Sequence, residues 1–99
     1  MLLLPSTLTT HEATVTLRML KQTMQSEGSD TAVIVDAAPL QQLDTSALAV
    51  LLELARLARA LGREFAVRGV PAKLAALAKL YGVEELILGT GPAQRNPAT

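Results

Sequence analysis

The chain has 99 residues, nine basic and nine acidic, no cysteine, and only Phe65 and Tyr81 as aromatic side chains. That leaves room for one domain with an aliphatic core. It excludes a disulfide framework, thiolate chemistry and a field-driven nucleic-acid binder, which would carry a basic stripe. No apolar run reaches the roughly 18 residues that a membrane span needs, and Met1-Leu2-Leu3-Leu4-Pro5 lacks the basic start of a signal peptide. The expectation is a soluble intracellular protein with no direct membrane insertion.

Leu2-Leu3-Leu4 predicts a short strand that Pro5 stops or pushes to an edge, with Ser6-Thr7-Leu8 as its continuation. Thr9-Thr10-His11-Glu12 matches a capping box, Thr9 as the cap and Glu12 as its partner. Ala13, Leu17, Leu20 and Met24 then recur at helical spacing, with Arg18, Lys21 and Gln22 mostly opposite. Glu27-Gly28-Ser29-Asp30 turns the chain. His11, the only histidine, reads as a solvated first-turn residue rather than a metal ligand.

Ala32-Val33-Ile34-Val35-Asp36 is a short β-branched run with polar borders, the pattern of a buried strand. Residues 37–42 form a loop that Pro39 keeps from starting as helix. Asp44, Thr45 and Ser46 are then three candidate helix caps in a row, ahead of residues 47–61, which contain no Gly or Pro. Ligands and partners of such strand–loop–helix units meet the loop beyond the strand and the start of the helix. Gly62 suits a left-handed cap, and Arg56, Arg59 and Arg63 suit the negative end of the helix. Phe65-Ala66-Val67-Arg68 reads as the next strand. Gly69-Val70-Pro71 leads into a helix with Pro71 at its first position, Leu74, Leu77, Ala78 and Tyr81 inward, and Gly82 at its close. Leu86-Ile87-Leu88 reads as a weak final strand or extended tail, and residues 89–99 as a frayed end. Strands alternating with helices make an α/β fold with a partly parallel sheet.

At about 100° per residue, Ser46, Glu53, Arg56, Arg59 and Arg63 share one arc of the long helix. Ala49, Leu52 and Ala60 interrupt that arc. A single exposed Leu is ordinary on a protein surface, but small residues also let another backbone approach closely. Chemistry is sparse. Gly89-Thr90-Gly91 has no helix after it, no nucleophile stands beside a base in the sequence, and no metal-ligand spacing occurs. Neither enzyme activity nor a cofactor is expected. One cap suffices for a helix, so the surplus hydroxyl of the elbow turns elsewhere, toward a partner or a phosphoryl group. Ser46 and Thr45 are both candidate phosphorylation sites. A phosphate there would suit the helix start and would add close to two negative charges to a docking surface.

Leu43-Asp44-Thr45-Ser46-Ala47-Leu48, followed by Ala49-Val50-Leu51-Leu52, resembles the signature of STAS domains, in which a strand leads through Asp and Ser or Thr into a helix. Val67-Arg68-Gly69-Val70-Pro71 and Leu77-Ala78-Lys79-Leu80-Tyr81-Gly82-Val83 resemble the MlaB-like branch of that family. The resemblance covers about residues 32–88. It implies a STAS-like mixed, partly parallel sheet with three main helices (βαβαβα), a single domain over residues 1–88 and a tail over 89–99. STAS domains start with a strand ahead of the Leu2–Leu8 segment, so an abbreviated first edge is expected. Ala47 stands where the family has Gly, which a helical conformation tolerates.

For function, the resemblance implies a non-catalytic cytoplasmic subunit, peripheral to the inner membrane. It would bind an MlaF-like ABC ATPase and, through it, an MlaE-like permease and an MlaD-like subunit. That complex moves phospholipid between inner and outer membranes and maintains outer-membrane lipid asymmetry. Thr45 would lie in the contact, Asp44 and Ser46 beside it, Ala49 and Leu52 in apolar packing, and Glu53 and Arg56 on a polar rim. The alternative is an anti-sigma-factor antagonist switched by phosphorylation of Ser46. A homodimer of the isolated chain, with no ATPase partner, is a third reading.

Overall fold

The computed structural model describes residues 1–28 and 31–88. In chain order it has β1 (Leu2–Leu3), β2 (Thr7–Leu8), α1 (Thr10–Ser26), β3 (Val33–Asp36), β4 (Gln42–Leu43), α2 (Thr45–Ala60), β5 (Phe65–Arg68), α3 (Ala72–Leu80) and α4 (Glu84–Leu88). Ser29 and Asp30 of the expected turn, and the expected tail from residue 89, lie outside the described residues.

The central strand is β3, with β1 on one side and β5 on the other, both parallel to it. Leu2 pairs with Val35, Val33 with Phe65, and Val35 with Val67. Paired residues point to the same side of a sheet. Leu2, Val33, Val35 and Val67 are all buried, whereas Leu3 is exposed and Ile34 and Ala66 are half-buried. Burial is therefore one-sided, and the helices supply it. Leu51 and Leu54 of α2, Met24 of α1 and Leu74 of α3 have no exposed surface. The aliphatic core expected from composition is what fills this space.

Pro5 does more than end a strand. The Leu4 N–H still reaches the Asp36 carbonyl at 3.0 Å, but the chain then leaves β3. The Ser6 carbonyl accepts from the backbone N–H groups of Gln41 and Gln42, at 2.7 and 2.9 Å, and β2 pairs in parallel with β4. The expected continuation of β1 is thus a separate strand, and the loop over residues 37–42 ends in its partner. The chain starts β2 and β4 side by side, so α1 and α2 leave the sheet together and run parallel. They meet from Thr10–Ser46 at one end to Lys21–Glu53 further along.

The first helix starts as its capping box predicts. The Glu12 carboxylate accepts from the Thr9 N–H at 2.8 Å and from the Thr9 hydroxyl at 2.7 Å. Thr16, Leu20 and Met24 form its buried stripe. The second helix buries Ala47, Leu48, Val50, Leu51, Leu54, Ala55 and Ala58. Ala47 is helical, and no non-Gly residue among those described has a positive φ, so the Gly of the family pattern is dispensable here. Gly62, at φ 70, takes the left-handed position after the helix.

Four expectations change. Arg63 does not serve the end of α2. It is only 7% exposed. Its guanidinium donates to the carbonyls of Thr31 (2.7 Å) and Met24 (2.8 Å), to the Thr31 hydroxyl (3.0 Å) and to Glu27 (3.1 Å). Pro71 is the cap of α3 rather than its first residue, in extended backbone at ψ 151. Tyr81 follows the last turn of α3 and is 57% exposed, not inward. The Leu86-Ile87-Leu88 run is helical, not a strand. Glu84 and Glu85 occupy its first turn, where acidic side chains suit a helix start, and Ile87 is its buried anchor. No helix among the described residues is long and apolar enough to cross a membrane.

Candidate functional site

The elbow divides three polar residues among three tasks. Asp44, in extended backbone, caps α2: its Oδ1 accepts from the Ser46 N–H at 2.8 Å. Its Oδ2 accepts from the backbone N–H and hydroxyl of Thr10, at 3.3 and 3.4 Å. One carboxylate therefore serves the first turns of both parallel helices. The Ser46 hydroxyl is 3.0 Å from that of Thr10. Thr45 is exposed, and its hydroxyl has no partner among the described residues.

Loop geometry fixes where the elbow stands. The Ala37 N–H donates to the Arg68 carbonyl at 2.8 Å, and the Ala38 N–H to the Asp36 carboxylate at 3.0 Å. Gly69, at φ 63, lets the end of β5 come against Ala38. Leu40 and Leu43 are buried and anchor the remainder of the loop.

Beyond the elbow, Thr45, Ala49 and Arg56 fall within about 40° of one another around α2, and all three are exposed. Glu53 is half-buried. It accepts from Arg56 in a two-pronged pair, at 2.8 and 2.6 Å, with the Lys21 ammonium at 3.8 Å. Leu52 is less available than its place in the polar arc suggests: it is half-buried and packs against the core. The structure thus brings Thr45, Ala49 and Arg56 onto one crest. Ser46 and Glu53 lie on the flank toward α1, and Leu52 lies at the opposite margin.

The flank toward α1 holds what the sequence reading missed. A groove of 160 Å³ runs between the helices, lined by Ala13, Thr14, Leu17, Ser46, Ala49 and Val50. Thr10, Thr14, Leu17 and Lys21 recur at i, i+4, i+7 and i+11, one stripe of a helix. That spacing was visible in the sequence. What it faced was not.

Electrostatically the site is held in its charged form. The Ser46 N–H first, and then Thr10, keep the Asp44 carboxyl below its ordinary range. Hydrogen bonds from Arg56 do the same for Glu53, and Glu53 raises Arg56 in return. Glu12 is lowered chiefly by Thr9. A carboxyl whose pKa is depressed by folding adds stability above its unfolded pKa and loses it as the pH falls through the folded one. The thermal midpoint should therefore decline on acidification below about pH 4.5, with amides in the first turn of α2 exchanging faster. A midpoint that stays flat down to about pH 3 would contradict this coupling. Among the described residues no cluster of His, Asp or Glu could hold a metal ion, and His11 is exposed. What the site offers is a free hydroxyl, a small-residue crest and a shallow apolar groove.

No curated protein matches the chain. A family model described as Mlab, STAS domain matches residues 6–89. That span holds both parallel helices, the elbow and the groove between the helices, and covers most of the sequence. The chain belongs to the MlaB-type STAS domain family.

Proposed function

We propose that this chain is a non-catalytic accessory subunit that docks the elbow and the crest of α2 on the ATPase subunit of an ABC transporter. The partner is MlaF-like, and the complex moves phospholipids between inner and outer membranes. The chain would stabilise or activate the ATPase from the cytoplasmic side and meet the membrane only through the MlaE-like and MlaD-like subunits. Thr45 carries the reading: it is an exposed threonine beside a helix start, its hydroxyl is left over after Asp44 and Ser46 have satisfied the elbow, and exposed Ala49 lies one turn on. A partner that supplies a hydrogen bond to Thr45 and packs on Ala49 uses what the fold leaves unused. The Glu53–Arg56 pair is a rim feature and contributes more to selectivity than to affinity.

The alternative reading, a switch phosphorylated on Ser46, is supported less well. The Ser46 hydroxyl is bonded to Thr10 and the residue is half-buried, whereas Thr45 is open. The test is Thr45→Glu. The variant should fold as the parent does and bind a purified MlaF-type ATPase subunit about thirtyfold more weakly or not at all, the loss typical of a central anchor. Unchanged affinity would sink the docking reading. Stoichiometric phosphate on Ser46 after incubation with a kinase would favour the switch.

A further inference from the structure

Both helices present charge unevenly along the groove that separates them. At the elbow end stands one carboxylate, Asp44, already bonded to Thr10 and Ser46. At the far end two cations, Lys21 and Arg56, share the single carboxylate of Glu53. Arg18 lies one turn beyond Thr14, on the same outward side of α1, and makes no ion pair among the described residues. Positive charge is therefore in surplus where the groove opens toward the C-terminal halves of the helices. Between the two ends the lining is Ala13, Leu17, Ala49 and Val50, with Thr14 and Ser46 at the margins. The volume of 160 Å³ is that of a dent, not a cofactor cavity.

We infer that this groove receives an apolar side chain from an acidic segment of the ATPase partner, oriented so that the partner's carboxylates lie over Arg18, Lys21 and Arg56. The inference rests on the docking reading above and extends it to α1, which supplies half of the lining. The argument is charge complementarity joined to shape. A segment with its carboxylates at the opposite end would set them against Asp44, where like charges disfavour contact. An uncharged segment would fill the dent but leave the surplus cations unmatched. The segment's direction is thus specified as well as its composition, which is the part that electrostatics plays at interfaces.

Two variants test it against the same purified ATPase subunit, by affinity at low and high salt. Thr14→Trp fills the groove from an exposed position on α1 and leaves Asp44 and Thr45 unchanged. Arg18→Glu combined with Lys21→Gln removes the positive surplus. Each should weaken binding about tenfold, and the charge variant should also flatten the salt dependence. Lys73→Gln, an exposed change on α3, which does not line the groove, should bind as the parent does. Far-UV circular dichroism and thermal melting of each variant confirm an intact fold. If Thr45→Glu breaks the complex while both groove variants bind normally, the groove assignment is wrong and the elbow reading stands. If Thr45→Glu also binds normally, the docking reading itself fails. Loss in Thr14→Trp with no loss and no change of salt slope in the charge variant would overturn the acidic character of the segment.

Discussion

Arg63→Met should cost about 3 kcal/mol of stability, the range measured for removing one partner from a buried charged network. For a domain of this size that corresponds to a fall of roughly 15 °C in thermal midpoint. The side chain is nearly closed to solvent and donates to four acceptors on three segments: the Met24 carbonyl near the end of α1, Glu27 beyond it, and the carbonyl and hydroxyl of Thr31 ahead of β3. Methionine fills similar space but leaves the carbonyl and hydroxyl of Thr31 without a donor and removes the strongest donor to the Met24 carbonyl, which keeps only the Glu27 N–H at 3.3 Å, so the loss is polar rather than a cavity. Arg63→Lys should recover little, because one ammonium cannot reproduce a planar fork that reaches several directions at once. Differential scanning calorimetry reads the result. A drop below about 1 kcal/mol would mean that water replaces the guanidinium at no great cost.

The second large effect is expected at Gly69. A methyl group there would stand 2.9 Å from the Ala38 Cβ and 3.1 Å from the Ala38 nitrogen, in a backbone at φ 63. Left-handed conformation costs a residue with a Cβ about 1–2 kcal/mol, and the overlap adds about 1–2 kcal/mol more. Gly69→Ala should therefore lose about 3 kcal/mol in urea unfolding. Gly62→Ala is the built-in comparison: its φ is 70, but nothing stands within 4 Å. It should lose only the conformational part, about 1 kcal/mol. The difference between the two measures the close approach alone. Gly69→Ala should also weaken the proposed contact with an ATPase subunit, because Ala38 belongs to the loop that carries the elbow. Equal losses at the two glycines would show that the loop gives way freely.

Much of this architecture could be read from residues in order. Strand β5 runs from Phe65 to Arg68 as expected, and Asp44 and Gly62 bracket α2 as local chemistry requires. These features depend on neighbours in sequence. Strand β4, and the separation of β2 from β1, escaped because two residues carry no period, and the β2–β4 pairing joins segments more than thirty positions apart. The α4 run escaped because three apolar residues in a row fit a buried strand and a helix equally well. Arg63 was misassigned for a related reason. A cation just after a helix suits the helix end, and only folding brings Met24, Glu27 and Thr31 around it. At the site, the elbow was legible because a cap announces itself locally. The contribution of α1 was not, since nothing in residues 10–21 says which helix stands beside them. Leu52 shows the converse limit: its angle on the helix is right for an exposed crest, but packing against the core covers part of it.

The carboxylate that Asp44 divides between two helix starts has a mechanical implication. The start of α1 has its own Thr9–Glu12 cap, but fraying at either helix start also loosens a bond to the carboxylate that both share. The stiffness of the corner that displays Thr45 is thus borrowed from a segment thirty-odd residues earlier. A change at Thr10, remote in sequence and silent in any motif, would be felt at the corner that displays Thr45 as play in a shared hinge pin.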